Sequence, residues 1–276
     1  MNEQNPDENT LNKISIDLSE FNKEPDTQNL YILPTRNLVL FPGVTIPIAL
    51  GRDSSLSLAR RASEEKTPIG VVCQTLAEED NPGVSQGLYK YGVVADVLKV
   101  IELPDGHHTA VVHARGKFRI LGKGNDGFAL TARVRLIDES DPEDPAAFHG
   151  CVGEAREITL KLYSQMPEGA AVVQNLKQTD NDVQAMNFIA THLPVDAPTK
   201  IAVLSRSRAD DRIAAVLSYL KESGEKFAIS NEIAAKARKA MEDNQRSAFL
   251  QQQMDTIREE LYGDSEEEID RLIARA

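Results

Sequence analysis

Two spacings of hydrophobic residues divide the chain into a β-rich part and a helical part. From Tyr31 to Ile137, short apolar runs rich in β-branched residues are separated by Gly, Pro, Asn and Asp, a pattern typical of short strands. After Asp138 the apolar residues recur every three or four positions, which indicates amphipathic helices. The chain is therefore predicted to be an α+β protein, with a β lobe over residues 30–138 and helices after it.

The β lobe is predicted to hold about six short strands and one helix. Its clearest strand signals are the runs at 69–72, 93–101, 109–112 and 128–137. The Pro104–Gly106 segment is predicted to close a hairpin, because Pro fixes the entry angle and Gly accepts the positive φ of the turn. A helix that begins at Asp53 or Ser54 interrupts the strands. Because these short strands must hide their edges, a closed or strongly curved small β-barrel is the expected fold.

Residues 139–224 are predicted to form a small helical bundle. The turn-rich segment 141–145 opens it, and apolar stripes at helical spacing follow. The stripes consist of Cys151, Ala155, Ile158 and Leu162; of Val183, Met186, Ala190 and Leu193; and of Ile213, Val216, Leu217 and Leu220. Each stripe covers one helix face and needs a partner helix to bury it. Breaks between the helices are expected at Pro167, Pro194, Pro198 and Gly224.

A long helix is predicted beyond the bundle, within residues 225–276. The segment from Ile229 to Tyr262 contains neither Pro nor Gly and would span roughly 50 Å at 1.5 Å per residue. Gly263 is expected to end this helix, and Ser265–Glu268 matches a capping box that starts another. The second helix is still short at Ala276, so we expect the chain to continue into further structure in a parent protein.

Charge is distributed unevenly along the 276 residues, which carry a formal net charge of -12. The first 29 residues hold 7 acidic and 2 basic residues and few apolar ones. Residues 1–29 are therefore predicted to be a disordered acidic tail, in which the segment 14–18 is the one candidate for a short strand. The net negative charge argues against a role of the whole chain in binding nucleic acid or anionic membranes.

Features of secreted, membrane-spanning or disulfide-rich proteins are missing from the sequence. The first 20 residues lack a basic leader followed by an apolar core, and no apolar run approaches the roughly 18 residues that a spanning helix needs. The two cysteines, Cys73 and Cys151, are far apart, which excludes a disulfide framework and a four-cysteine zinc site. We therefore expect a cytoplasmic protein with two reduced thiols and no membrane partner.

Motifs for hydrolytic chemistry occur without the context that the chemistry needs. The Gly83–Gly87 segment matches the G-x-S-x-G pattern of α/β-hydrolases, in which Ser85 would be the nucleophile. It follows an acidic loop and precedes a predicted strand, whereas the nucleophile should lie on a turn from a strand to a helix. The S-x-x-K matches at 63–66 and 218–221 lack a K-T-G element, so we interpret them as helix-surface residues. A hydrolase hypothesis therefore rests on Ser85 alone.

The histidines near the predicted hairpin do not form a recognisable cofactor site. His107, His108 and His113 lie on both sides of one strand, without a Cys or carboxylate cluster at metal-ligand spacing. No P-loop pattern is complete, because Gly116-Lys117 and Gly122–Gly124 lack the remaining elements of that motif. No metal or nucleotide cofactor is therefore predicted for this chain.

A basic cluster in the β lobe is the feature that keeps nucleic-acid binding open. Arg115, Lys117, Arg119 and Lys123 are close in sequence, but Phe118 is the one aromatic residue among them. We interpret the cluster as a solvated strand face, because single-stranded nucleic acids are usually bound by basic residues interleaved with aromatic ones. The β lobe is also nearly neutral, with 13 basic and 11 acidic residues, so nucleic acid is an unlikely partner.

Three stretches together resemble the N-terminal region of the ATP-dependent Lon proteases. The first runs from Leu33 to Pro47 and is followed by Gly51-Arg52, which is similar to the "LP…VLFPG…P…GR" signature of that family. The second is the Leu103–Gly106 hairpin. The third, Asn244–Leu261, is similar to the helix that precedes the ATPase module of the family. The resemblance extends from about Asn29 to the C-terminus.

The resemblance implies a PUA-like small β-barrel lobe, a helical bundle lobe and a long C-terminal helix that runs into an AAA-type ATPase. The parent would be a cytoplasmic, homohexameric serine endopeptidase that uses ATP and magnesium to unfold and degrade misfolded or tagged proteins. The Walker motifs and the Ser-Lys dyad of the family have no matching positions here. The chain is therefore expected to be non-catalytic, to bind unfolded or damaged proteins, and to be a monomer or weak self-associate.

Exposed apolar surface is what a recruiter of unfolded protein needs, because exposed hydrophobic segments distinguish misfolded chains from native ones. Two segments are candidates for that surface. The first, which we call the FPG loop, consists of Leu40, Phe41, Pro42, Gly43 and Val44. The second, which we call the terminal stripe, consists of Leu250, Met254, Ile257 and Leu261 on the predicted long helix.

Both candidate segments have a second interpretation. The FPG loop could pack in the core beneath the β-barrel. The terminal stripe could drive self-association or pack on an ATPase module, although the flexible thioether of Met254 favours binding to varied partners. The alternative function for the whole chain is a standalone PUA-like module that binds RNA or protein.

Overall fold

The fold is described from a computed structural model that covers residues 27–125, 127–167 and 169–274, without the side chains of 261–272. The strand predicted at 14–18 and most of the predicted acidic tail lie outside these residues. Residues 27–29, which the charge pattern assigned to that tail, lie in a strand and pair with residues 133–135. Local composition could not reveal this pairing, because the partner strand is distant in sequence.

Strands and one helix make up the β-rich part. They are β1 (Thr27–Thr35), β2 (Thr45–Leu50), α1 (Asp53–Glu65), β3 (Ile69–Cys73), β4 (Tyr91–Glu102), β5 (His108–Lys123) and β6 (Thr131–Ile137). The sheet order is β2-β5-β4-β3-β1-β6, and β6 also pairs with β5. The pairings therefore run in a circuit from β1 through β3, β4, β5 and β6 back to β1, with β2 added beside β5. The β1–β3 pair is parallel and the other pairs are antiparallel.

The predicted hairpin and the first helix are both present. β4 and β5 are joined by the Pro104–Gly106 turn, where Gly106 has a φ of 82° and the backbone N–H of His107 donates to Asp105 Oδ1 at 3.0 Å. In α1, neither predicted capping residue occupies the N-cap position, which belongs to Arg52. Arg52 makes no capping hydrogen bond, because a guanidinium has no acceptor atom for the helix N–H groups, and its Nη2 instead donates to acceptors in the β-rich part.

The predicted helical stripes correspond to helices in the second half of the chain. They are α2 (Pro145–Tyr163), α3 (Ala170–Lys177), α4 (Asp182–His192), α5 (Ala197–Leu204) and α6 (Ala209–Ile273). Short polar side chains cap three of them, since Asp144, Asn181 and Asp196 accept hydrogen bonds from the first turns of α2, α4 and α5. These caps satisfy backbone N–H groups that have no partner inside the helix.

Two of the predicted helix breaks are wrong, because α6 is continuous through Gly224 and Gly263. The predicted capping box at 265–268 likewise starts no new helix. A single glycine costs about 1 kcal/mol in a helix, and neither glycine is followed closely by a proline that would prevent the helix from continuing. Pro167 and Pro194 do lie between helices, whereas Pro198 lies in the first turn of α5, where its missing N–H does no harm.

Two hydrophobic cores hold the sheet and the helices before Leu220. The smaller core draws side chains from all the strands of the circuit, with Phe118 fully buried among them. A Cβ atom added at Gly70 or Gly92 would lie 2.8 or 2.9 Å from Phe118 Cζ, so both glycines make room for this ring. The larger core is shared by the sheet, α1 and the later helices, and it reaches Leu220 in α6.

The chain forms two compact units, one ending at Leu220 and the other beginning at Lys221. The first unit therefore contains the strands, α1 to α5 and the start of α6. The second unit consists of the rest of α6, in which each residue from Ala228 to Glu260 is exposed. We refer to them as the core unit and the helix unit.

Candidate functional site

The FPG loop is buried, so the prediction that it supplies exposed apolar surface is wrong. Phe41 is fully buried, Leu40 and Val44 are each 3% exposed, Pro42 is buried and Gly43 is half-buried. Gly43 adopts a φ of 78°, and its N–H donates to the carbonyl of Ala114 at 2.8 Å. This left-handed residue turns the chain so that the apolar residues on both sides of it enter the same core. The alternative interpretation, core packing, describes the loop.

The buried loop lies where the sheet meets the helices of the core unit. A Cβ atom added at Gly43 would lie 3.5 Å from Cγ of Gln184, which belongs to α4. Phe41 shares the larger core with Met186 and Ile189 of the same helix. The loop therefore packs between the sheet and the helices, and the side chain of Phe41 is not accessible to a partner.

The terminal stripe has the exposure that was predicted for it. Leu250, Met254 and Ile257 are 51%, 65% and 55% exposed, and their spacing of four and three residues places them on one face of α6. The side chain of Leu261, the last predicted member, lies outside the described part of the chain. The three described members form a short apolar strip of the kind that can contact another apolar chain.

Further apolar side chains on the helix unit were missed in the sequence. Ile229, Ile233, Met241 and Phe249 are each about 60% exposed, with values from 59% to 63%. A sequence signal for the first two was available, because they are spaced by four residues, as helical neighbours are. The helix unit thus exposes more apolar surface than the terminal stripe alone.

Two adjoining pockets of about 350 and 310 Å³ lie around the start of α1 in the core unit. Both are lined by Pro34, Arg52 and Ser55. Arg52 Nη2 donates to Gln74 Oε1 and to the carbonyl of Glu79, both at 2.8 Å, and burial followed by the nearby Arg36 lowers the pKa of Arg52. The guanidinium is thus a structural tie between α1 and the 74–79 segment. Apart from the Gly51-Arg52 signature, no pattern along the chain indicated these pockets.

The catalytic hypothesis finds no support in the geometry. Ser85 is exposed in a turn at 84–87 that is followed by a single bridge residue, Leu88, and by no helix. The nucleophile of an α/β-hydrolase requires a sharp turn between a strand and a helix. In the parts of the chain that the structure covers, no group of three or more His, Cys, Asp and Glu residues is arranged to hold a metal ion.

The basic cluster on β5 does not form one exposed patch. Lys117 is 1% exposed, and Arg115 is paired with Asp96 at 2.5 Å between Nε and Oδ2. The interpretation of the cluster as a solvated strand face is therefore wrong for Lys117. Sequence reasoning missed its burial because Lys117 and Phe118 are adjacent, and a strand covered on one face would leave one of them exposed.

None of the helices, as far as their residues are described, is long and apolar enough to cross a membrane. Charged residues of the helix unit include pairs spaced by four, such as Glu232 and Lys236 with 2.7 Å between Oε1 and Nζ. Such pairs stabilise an exposed helix by a few tenths of a kcal/mol each. They help to account for a helix without its own buried core.

Comparison with known proteins decides the family. A family model described as the ATP-dependent protease La (LON) substrate-binding domain matches residues 29–222. The chain belongs to this family. The match coincides closely with the core unit, which ends at Leu220, and it confirms the resemblance seen in the sequence.

Two relatives of this chain are named Lon protease. The chain is 32% identical over 254 residues to the Lon protease of Flavobacterium johnsoniae, covering 91% of this chain and 31% of that protein. It is 27% identical over 233 residues to the Lon protease of Escherichia coli K12, covering 83% and 29%. The chain thus spans less than a third of the length of these relatives.

A solved structure has a similar fold over most of the chain. The N-terminal domain of the Mycobacterium avium complex Lon protease matches with a TM-score of 0.50 and 18% identity, covering 70% of this chain and 98% of that one. At that identity the likeness concerns the fold alone. It agrees with a mixed sheet combined with helices, as the hydrophobic pattern predicted.

Proposed function

We propose that this LON substrate-binding domain recruits unfolded or damaged polypeptides to an ATP-dependent, Lon-type serine protease, and that the terminal stripe is a contact site. The family match supports protein binding, and the exposure of Leu250, Met254 and Ile257 is the observation that carries the choice of site. Native proteins bury such side chains, whereas unfolded chains expose them. An exposed apolar strip therefore selects unfolded chains by burying apolar surface on both partners.

The terminal stripe is suited to partners of varied sequence. Met254 is unbranched and flexible, so its side chain can adapt to differently shaped apolar groups. The residues between the members of the stripe are mainly polar, with Gln at 251–253, so the strip is narrow and flanked by polar side chains. A narrow strip of this kind favours weak, reversible capture, because the buried apolar area is small.

The chemistry of the parent protease is part of the same proposal. ATP hydrolysis with magnesium and peptide cleavage would belong to parts of the relatives that this chain does not match, since the chain spans 31% of the Flavobacterium protein. The parent would be a cytoplasmic homohexamer, and this chain by itself a monomer or weak self-associate without catalytic activity. Support for this assignment comes from the family and from the length of the relatives.

We further propose that the β-rich part is a small closed barrel of the PUA-like type. The support is the circuit of pairings that returns from β6 to β1 and also joins β6 to β5. Closure would remove most exposed strand edges, which otherwise promote edge-to-edge aggregation. A barrel would also explain why the smaller core takes residues from every strand of the circuit.

The test compares binding of one fluorescently labelled protein in its native form and after heat denaturation. We expect binding of the denatured form alone, and about a tenfold weaker affinity when Met254→Asp places a charge in the stripe. Met241→Asp is the matched control, because Met241 is 62% exposed on the same helix but lies outside the stripe. Equal binding of native and denatured protein, or equal loss in both variants, would contradict the proposal.

The alternatives for the stripe give different results in the same samples. If the stripe drives self-association, sedimentation velocity will show a concentration-dependent oligomer that Met254→Asp dissociates. If the chain is an RNA-binding module, a labelled RNA will bind with an affinity that falls steeply with salt. Recruitment of unfolded protein predicts neither an oligomer that depends on Met254 nor salt-dependent RNA binding.

A further inference from the structure

A charged cluster is buried where β5 meets the later helices of the core unit. Lys117 of β5 is 1% exposed, and its Nζ donates to the carbonyl of Leu204 at 3.3 Å and to that of Arg206. Arg212 in the first turns of α6 is also 1% exposed. Its Nη1 donates to Asn187 Oδ1 of α4 at 2.9 Å, and its Nη2 to the carbonyl of Arg206 at 2.9 Å. Strand and helices therefore place two cations in one buried site.

Glu139 is the carboxylate that both cations share. Its Oε1 lies 2.5 Å from Arg212 Nη2 and 3.5 Å from Lys117 Nζ. Glu139 lies in the connection between β6 and α2, whereas the two cations lie in β5 and α6. The site therefore joins three separate segments of the chain. Among the described groups of this site, two positive charges face one negative charge.

The excess of positive charge makes Glu139 the critical member of the site. Burial and the nearby Arg212 lower the pKa of Lys117 to about 8, and Glu139 opposes this shift. Arg212 Nε is also buried without a hydrogen-bond partner. Without the carboxylate, two cations would face each other in a poorly solvated site, an arrangement that is strongly unfavourable.

An outer set of ion pairs holds the same connection at the surface. Arg208 Nη2 lies 2.5 Å from Oε1 of Glu143, and the backbone N–H of Glu143 donates to Asp210 Oδ2 at 3.0 Å. The Arg208 and Glu143 side chains are 48% and 74% exposed, so their pairing contributes little. Glu139, whose side chain is 25% exposed beside two buried cations, and the mostly exposed Glu143 thus offer two carboxylates of the same connection with different surroundings.

We propose that Glu139 is a charge-controlled latch that keeps the α5–α6 region closed on β5, and that neutralising its carboxylate opens this junction while the sheet stays folded. Opening would expose Val203, Leu204 and Ile213, which are at most 3% exposed in the closed form. The latch would therefore control apolar surface within the core unit, the part of the chain that matches the LON substrate-binding domain. This inference does not depend on the terminal stripe.

Hydrogen exchange measured by mass spectrometry on the full chain tests the latch. In Glu139→Gln, amides of α5 and of residues 209–220 should exchange at least about tenfold faster, while those of β3 and β4 keep their wild-type rates. Glu143→Gln is the matched control, because it neutralises an exposed carboxylate of the same connection, and its rates should stay within about twofold of the wild type. Binding of a dye specific for exposed apolar surface should rise in Glu139→Gln alone.

A double variant separates charge from simple destabilisation. Lys117→Met combined with Glu139→Gln restores the wild-type charge of the site, so its α5–α6 amides should exchange more slowly than those of Glu139→Gln alone. Faster exchange in every element, equal effects of the two Gln variants, or further acceleration in the double variant would overturn the latch. Failure of both Glu139 variants to fold would also overturn it, because the junction would then be inseparable from the global core.

Discussion

Two phenylalanines show how the core unit and the helix unit differ. Phe41 in the core unit is fully buried between the sheet and α4, whereas Phe249 in the helix unit is 59% exposed. The core unit is stabilised by buried side chains, which include the charged Lys117. The helix unit depends on local interactions along α6, such as the Glu232–Lys236 pair. Tertiary packing therefore stabilises the core unit, whereas contacts between neighbouring turns of α6 stabilise the helix unit.

The core unit carries the match to the family, whereas the helix unit carries the proposed binding site. The family model ends at residue 222, so it matches the core unit and leaves the terminal stripe outside. Of the two candidate segments, the FPG loop is buried in the core unit, and the exposed terminal stripe lies in the helix unit. Substrate binding in this chain is therefore proposed where the family model does not reach, unless the core unit opens. The following predictions test how different the two units are.

The largest expected difference is between two phenylalanine truncations. Phe41→Ala should lower the free energy of unfolding of the core unit by about 3–5 kcal/mol, because it leaves a cavity in a packed core. Phe249→Ala should change it by less than about 0.5 kcal/mol. Urea unfolding followed by tyrosine fluorescence measures this, since Tyr31, Tyr89, Tyr91, Tyr163 and Tyr219 report on the core unit. Similar losses in both variants would break the comparison.

The next effect is a pH dependence that only the core unit should show. Because the pKa of Lys117 falls from the usual 10.5 to about 8, the unfolded chain binds more protons than the native one between these values. The Lys117 contribution to stability therefore rises with pH in that window and is least favourable below pH 8. In Lys117→Met this contribution should disappear, whereas it should persist in Lys236→Met of the helix unit.

That comparison must be made as a difference between variants. Burial raises the pKa of Cys73 and of Tyr163, so these groups make stability fall as pH rises. Both groups are shared by the wild type and Lys117→Met, and their effects cancel in the difference. Urea midpoints at pH 7.5, 8.5 and 9.5 suffice for the measurement, and identical pH slopes in the two proteins would contradict the burial of Lys117 as a charged group.

A smaller effect is expected from backbone strain at the FPG loop. Gly43→Ala should destabilise the core unit by about 1–2 kcal/mol, because an L residue at a φ of 78° is strained whatever space surrounds it. Gly51→Ala is the control, since its Cβ would meet nothing within 4 Å and its backbone is not in the left-handed region. A neutral Gly43→Ala would show that the loop can adopt another conformation.

The smallest effect has the opposite sign and lies in the helix unit. Gly224→Ala should stabilise α6 by up to about 1 kcal/mol, because Ala loses less conformational entropy than Gly in a helix and its Cβ would meet nothing within 4 Å. Circular dichroism at 222 nm during heating should show higher helicity over a wider temperature range. A loss of helicity would indicate that Gly224 is needed as a bend.

The sequence was sufficient wherever local signals decide the structure. The hairpin at 104–106, the helix at 53–65 and the helical stripes of α2, α4 and α6 follow from turn residues and hydrophobic spacing. The exposure of the terminal stripe also follows, because no apolar partner stripe is available in its own segment. Gly224 and Gly263 were overestimated as helix breakers, since one glycine cannot outweigh the neighbouring helix-forming residues.

The buried features required tertiary information that no local pattern contains. The FPG loop combines apolar residues with a Pro-Gly turn, and its apolar residues enter a core completed by α4, far along the chain. The burial of Lys117 depends on Glu139 and on backbone carbonyl groups that come from other segments of the chain, which the pattern around Lys117 does not show. Pairing of residues 27–29 with 133–135 was hidden for the same reason.

The pairing of β1 with β6, the first and last of the described strands, has a consequence for synthesis of the protein. Tyr31 pairs with Thr131, so the ribosome must add 100 further residues after Tyr31 before its partner in β6 has been synthesised. At about 5–20 residues per second, translation leaves this strand without its antiparallel partner for roughly 5–20 s. Each newly made chain is thus, for that interval, an unfolded polypeptide with exposed apolar residues. Of the described strands, ribosome-associated chaperones should contact β1 first, and a circular permutant that brings β1 next to β6 should fold with less of their help.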